Sequence, residues 1–515
     1  MGSLPHQFPS RRDVVVLAFL AGLGILNLAC PFGGDQALFT LGALKLHGGA
    51  ALYRDFWDLK QPGIYYFYLA AGTLFGFSEI AIHLFELLYF LAFAAVLQVS
   101  LRSYVRSAWS AALAPLVVIG PYYAIASPTV LTQLEALVGF PLYLVVWLTR
   151  CAAESTGGRR FAFALGAGAA AAVVAIFKLV YLLPVAAIVA AALAVPRRGE
   201  PGLGLRGIGT ILAAGTIGLL APLAAVAAAL AHAVGAKTLY DTFVADPALI
   251  LAQLPRPPIH RLVYAFAWFL ERFAPLAVVA AVGLYEALRS RRAGMAVPLA
   301  AWLAAGAAAL LSQRFSWWPY QTLLLSVPVA LLALFGFEAI GARLSGLSWW
   351  SDPRARRSFV AAGLALAFGF FAVKTASKAA AFASHGFFLT AAARQAYQFR
   401  TAPEYREAFD ETAFLREPGA KDGDIYVCGD PVYYLFAKRN QAVALTGWAL
   451  ELFLPEQWNQ LRSELTARRP PYVFVTRDYA DLMRNRSPQT LAFLASRYRP
   501  LRTDAHGTWY ELRDR

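Results

Sequence analysis

Eleven apolar runs, near 13-31, 80-101, 108-126, 134-149, 161-177, 179-195, 208-232, 262-287, 295-312, 319-340 and 359-376, constrain this chain more than any other feature. Each is close to the roughly 20 mostly apolar residues that an α-helix needs to cross the hydrocarbon core of a bilayer, where the backbone must satisfy its own hydrogen bonds. Charged residues make up 15% of the 515, against roughly 25% in ordinary soluble chains, which argues against a cytosolic multi-domain protein. The expected fold is an α-helical polytopic membrane protein with about eleven transmembrane helices. The run at 62-77 is shorter, opens with Pro62-Gly63 and has polar flanks, and is expected to be an interfacial or re-entrant helix that does not cross.

Charge supports that count. With the N-terminus inside, alternate loops carry Arg11 and Arg12; Arg102 and Arg106; Arg150, Arg159 and Arg160; Arg197, Arg198 and Arg206; Arg289, Arg291 and Arg292; and Arg343, Arg354, Arg356 and Arg357. The positive-inside rule places these 17 arginines in the cytoplasm. They account for most of the formal net charge of +15, so the basic balance is a topology signal and no nucleic-acid partner is expected. Counting 62-77 as a span would put the later clusters outside. The first run follows Arg11-Arg12 without a small-residue cleavage pattern and is expected to stay as a signal anchor. Cys30, Cys151 and Cys428 lie too far apart for metal-ligand spacing or a disulfide framework.

The chain divides on composition into a transmembrane part, 1-376, with a first outer loop at 32-79, and an extracytoplasmic α/β domain, 377-515. The second part has strand-like runs at Asp424 to Cys428 and Tyr472 to Thr476, each followed by a helix-like stretch, and a closing hairpin at 498-512 around His506-Gly507. It could cover an active site, recognise a partner, or serve as a structural cap.

Chemistry is expected on the outer face. The first loop is long and polar, and such loops between membrane helices usually carry function. Asp35 follows Gly33-Gly34 at the membrane boundary, where partial desolvation would raise its pKa and suit it to act as a general base; Gly-Asp before an apolar run also reads as a helix start. Glu135 opens the fourth span in an uncharged stretch, and acids at membrane depth are costly and functional by default. Lys60, Lys178 and Arg314 stand singly at outer positions, where they either snorkel or converge on a lipid-linked phosphate. Arg54, Asp55 and Asp58 of the same loop are candidate acceptor or sugar contacts. Gly202, Gly204 and Gly207 match a dinucleotide fingerprint, but a membrane helix precedes them where a strand is required. No Walker A, His-Glu-x-x-His or Gly-x-Ser-x-Gly pattern occurs, which argues against an ATP-driven pump, a zincin and a typical serine hydrolase.

An Asp after the first span followed by G-G-A-A-L-Y-R-D-F-W-D-L-K-Q-P-G resembles the first outer loop of membrane glycosyltransferases of the GT-C fold, nearest the protein O-mannosyltransferases and lipid A aminoarabinose transferases. Glu135, the F-K-L-V-Y-L-L-P run around Lys178 and the Q-R-F-S-W-W-P-Y stretch continue the resemblance in family order. It implies a hexosyl- or pentosyltransferase that moves a sugar from a polyprenyl-phosphate carrier, with inversion, to a glycan, lipid or protein acceptor outside the cytoplasm. It also implies that Asp35 is the base, that Glu135 orients acceptor or donor, and that Lys60, Lys178 and Arg314 meet the carrier phosphate. Gln36 stands where protein mannosyltransferases have a second acid, which weakens a protein acceptor, and Glu135 is more often an Asp. No cofactor is required by such a displacement, although Asp35 with Glu135 could hold a divalent metal.

The alternatives are a transporter or flippase for a lipid-linked sugar, and a non-catalytic binding protein. The first predicts acids and helix breaks spread through both halves at the midplane, whereas here the charges crowd the outer face. Alanine- and arginine-rich usage is that of a high-GC bacterium, so a multi-pass inner-membrane location with a periplasmic C-terminal domain is expected.

Overall fold

The computed structural model describes residues 10–195, 203–290, 292–313 and 317–513. Arg197, Arg198, Glu200, Gly202, Arg291 and Arg314 lie outside the described residues. The chain forms two compact units: one of residues up to Leu28 with His83–Ala225 and Pro257–Phe387, the other of Ala29–Ile82, Val226–Arg256 and Phe388 onward.

All eleven apolar runs are helical. Nine helices among the described residues are long and apolar enough to cross a membrane by length and composition, from Glu79–Leu101 to Pro353–Ser384. The other two runs give shorter helices, which is where the structure departs from eleven full-length spans. Arg11–Ile25 starts in a capping box, in which the Ser10 hydroxyl accepts from Asp13 N–H and the Asp13 carboxylate accepts from Ser10 N–H, and it ends as the chain turns at Leu26. Leu179–Ala194 is cut short at its start because Lys178 is extended, with φ −163° and ψ 112°, and breaks the helical hydrogen-bond ladder. Close helix packing relies on small residues: a Cβ on Gly283 would lie 1.9 Å from the Leu332 carbonyl oxygen, so Ile259–Leu288 meets Ser326–Leu344 backbone to backbone.

In the second unit, four strands, β1 (Tyr426–Cys428), β2 (Tyr472–Thr476), β3 (Tyr498–Thr503) and β4 (Gly507–Leu512), form a sheet of order β1-β2-β4-β3. β1 and β2 run parallel, with Val427 opposite Phe474, and the helix Pro455–Arg468 lies in the connection between them. β3 and β4 form the hairpin expected around His506-Gly507. Tyr426, Leu445, Trp458, Leu461 and Val475 are among the buried side chains of this core.

The first loop belongs to this same unit. Its helices Gly34–His47 and Pro62–Phe75 pack together, and the 14 residues of the second are fewer than a span needs. Trp57 N–H donates to the Ala444 carbonyl at 2.9 Å, and Lys45 Nζ donates to the Gln441 carbonyl at 2.8 Å, so the loop is docked on C-terminal residues through backbone acceptors.

Candidate active site

Asp35 lies in the first turn of Gly34–His47, yet it does not close the helix start. Gln36 does, accepting from Gly33 N–H at 2.7 Å through Oε1. Gln36 thus has a structural task at the helix start. The Asp35 carboxylate has other partners: Oδ1 accepts from Trp448 Nε1 at 3.1 Å and pairs with Lys60 Nζ at 3.3 Å.

Lys60 bridges two acids, since its Nζ is also 3.4 Å from Asp58 Oδ2. Asp58 is anchored in turn by the Tyr65 hydroxyl, which donates to Oδ2 at 2.5 Å, and by Leu59 N–H on Oδ1 at 2.8 Å. Burial by itself lowers the Lys60 pKa, but the Asp35 and Asp58 carboxylates more than reverse this and hold it above the ordinary lysine value. The side chain as a whole keeps 30% of its accessible surface. Tyr53, with φ 74°, donates from its hydroxyl to the Lys60 carbonyl at 2.9 Å and fixes the backbone there.

Of the other first-loop candidates, Arg54 and Asp55 form a surface ion pair at 2.8 Å with their side chains 59% and 38% exposed. Arg54 Nη1 also reaches the Ala233 carbonyl, at 3.2 Å, and Asp55 accepts from Ala51 N–H, at 2.8 Å.

Sequence reading missed Asp430. It follows β1 in a Gly-Asp-Pro turn, a strand-end position that could have marked it, and its Oδ1 accepts from Val432 N–H at 2.9 Å. Burial, then the Glu404 and Asp35 carboxylates, push its pKa up to about 6 against that hydrogen bond. It borders an open cavity of about 310 Å³ with Glu404, Tyr433, Arg477, His506 and Glu407, and His506 Nδ1 lies 3.1 Å from the Glu407 carboxylate.

In the other unit, Glu135 sits in the short helix Leu134–Leu137, with its side chain 3% exposed. Its Oε1 accepts from Lys178 Nζ at 2.9 Å and from the Tyr181 hydroxyl at 3.0 Å. The extended Lys178 and the 3-10 turn Leu179–Tyr181 after it turn both donors onto one oxygen. The structure thus brings Glu135 together with Lys178, and Asp35 with Lys60 and Asp58. Among the described residues, no three His, Cys, Asp or Glu side chains are grouped to hold a metal ion.

No family model matches the sequence, and no curated protein does. Among solved structures the chain is similar to ArnT from Cupriavidus metallidurans bound to undecaprenyl phosphate, with a TM-score of 0.62 and 15% identity over 96% of this chain and 97% of that one. The apo state of the same protein matches with the same values. AglB from Archaeoglobus fulgidus, in complex with an inhibitory peptide and a dolichol-phosphate, is similar at a TM-score of 0.46 and 12% identity, over 90% of this chain and 69% of that one. At 15% identity the likeness to ArnT is one of fold, and the chain has the GT-C fold that its first-loop motifs implied.

Proposed function

We propose that the chain is an integral-membrane glycosyltransferase that takes a sugar from a polyprenyl-phosphate carrier and transfers it, with inversion, to an extracytoplasmic glycan, lipid or protein acceptor. The observation that carries the reading is the Asp35 carboxylate, held by an indole N–H and an ammonium in a fold shared with a protein solved on undecaprenyl phosphate.

In this reading Asp35 takes the proton of the acceptor hydroxyl as its oxygen attacks the anomeric carbon. The bond from that carbon to the phosphate oxygen breaks, and the electron pair leaves with the carrier phosphate. General-base assistance of this kind contributes about 10² to 10⁴ in rate. Lys60 fixes Asp35 and screens it from Asp58, and its exposed face is offered to the departing phosphate. Lys178, oriented by Glu135, and Arg314 are proposed as further cations for the carrier, and Arg54, Asp55 and Asp58 as acceptor or sugar contacts. No cofactor is needed for a single displacement. The N-terminus is assigned to the cytoplasm and the C-terminal residues to the periplasm, on the arginine pattern.

The test is transfer from a radiolabelled carrier in membranes by the wild type and by Asp35→Asn. Loss of about 100-fold or more is expected. Undiminished transfer by the mutant removes Asp35 as the base.

A further inference from the structure

Glu86 lies inside the candidate span Glu79–Leu101 and is fully buried. The rule that singled out Glu135, an acid at membrane depth, applies to it equally. Its Oε1 accepts from the Tyr122 hydroxyl and, at 2.9 Å, from Thr132 N–H, which is also 2.8 Å from the same hydroxyl oxygen.

What Glu86 holds is a strained corner. Thr132 is β-branched and has φ 54°, in the left-handed region that such residues avoid. The corner lies three residues before Glu135 and leads into the helix Leu134–Leu137 that carries it. The far end of that short helix is tied to the same span, because the Tyr89 hydroxyl donates to the Leu137 carbonyl at 2.7 Å. Phe90, on the next position of the span, packs on Tyr122 with ring centroids 5.0 Å apart, which fixes the tyrosine that completes the clamp.

We propose that Glu86 is a positioning residue: as an acceptor it pins the Thr132 corner and thereby sets Glu135 against Lys178, the pair assigned above to the carrier. A glutamine would keep this function, since its amide oxygen can accept both hydrogen bonds, and a leucine would not. A glycine at 132 would adopt the left-handed corner without strain and need the clamp less. The inference rests on the glycosyltransferase reading only for its effect on transfer.

The experiment uses the full chain in lipid nanodiscs, pulsed with acetic anhydride, with acetylation of Lys178 read by peptide mass spectrometry against the exposed Lys237. Glu86→Leu is expected to raise Lys178 acetylation about tenfold, the scale of one lost buried hydrogen bond. Glu86→Gln should match the wild type, and Thr132→Gly added to Glu86→Leu should restore most of the protection. In transfer assays Glu86→Leu should raise the KM for the carrier and leave that for the acceptor unchanged, with Glu86→Gln again normal. Unchanged Lys178 acetylation in folded Glu86→Leu, or a Glu86→Gln chain that behaves like Glu86→Leu, overturns the proposal. If Glu86→Leu does not fold, Tyr122→Phe decides instead: it removes the shared hydroxyl and must raise the acetylation. A wild-type chain that transfers no sugar defeats the reaction assigned above, while the acetylation arm still decides whether Glu86 is the clamp.

Discussion

The Lys60 ammonium stands 3.3 Å from Oδ1 of Asp35, so the proposed base, at the start of the helix Gly34–His47, meets a cation that stands just before the helix Pro62–Phe75 of the same loop. Because Lys60 also faces Asp58, removing it takes one shared ammonium from two carboxylates. Lys60→Met is therefore expected to cut transfer by about 100-fold, with Lys60→Arg retaining part of it. Transfer in membranes containing equal amounts of each variant measures this, and wild-type activity in Lys60→Met would take the pair out of the mechanism.

Gly34 has a steric reason to be glycine. A Cβ there would sit 2.5 Å from the six-membered ring of Trp448, whose Nε1 donates to Asp35. Gly34→Ala should push the indole off the carboxylate and reduce transfer by about tenfold, the scale of one hydrogen bond to a charged group. Quenching of Trp448 fluorescence by acrylamide, read as the difference from Trp448→Phe, should rise in the same variant. An alanine chain with unchanged quenching and transfer would show that the ring tolerates the methyl group.

Much of this fold is legible in the sequence, and the reasons are local. Apolar runs of span length announce the membrane helices, and alternation with a Gly turn announces the β3-β4 hairpin. Lys178 is legible as a break because a lysine interrupts two apolar runs, which is also why it is free of the helix and can turn toward Glu135. Pairings across long stretches are not legible. Trp448 reaches Asp35 over 413 positions, and nothing near either residue encodes the other. Glu86 is hidden for a different reason: one acid barely changes the average hydropathy of a 23-residue helix, so a search for spans passes over it.

Glu411 supplies a pH dependence. Burial, and then its hydrogen bond with Asp504 and the charge of that carboxylate, push its pKa from the ordinary 4.5 up to about 7. Burial acts against ionisation of Asp504 as well, but hydrogen bonds from Glu411 and from the N–H groups of His506 and Gly507 hold it below its ordinary value, so Glu411 carries the proton of the pair. A carboxyl group with a raised folded pKa adds stability that is full below its unfolded value and lost as pH rises through the folded one. The chain should thus be less stable at pH 8 than at pH 5.5, by about 2 kcal/mol from this group. Glu411→Gln should flatten the thermal midpoint above pH 6, leaving the smaller dependence due to Asp430. The same slope in the mutant as in the wild type would assign the effect elsewhere.

Glu135 and Lys178 form a buried ion pair, and their worth can be separated from their chemistry. With Glu135 3% exposed, Lys178→Met leaves a buried acid whose Oε1 keeps the Tyr181 hydroxyl as its partner among the described residues. Stranding a buried charge in this way costs about 3 kcal/mol. Glu135→Gln alone should cost less, because the amide oxygen still accepts from both donors and Lys178 keeps 22% of its side-chain surface. The double variant, with neither charge present, should be more stable than the sum of the single costs implies, by about 1 to 3 kcal/mol. Urea unfolding of the four chains in detergent gives the cycle directly. Additive costs would mean that the two residues do not depend on each other for stability, and the pair would then have to be explained by what it does for the carrier alone.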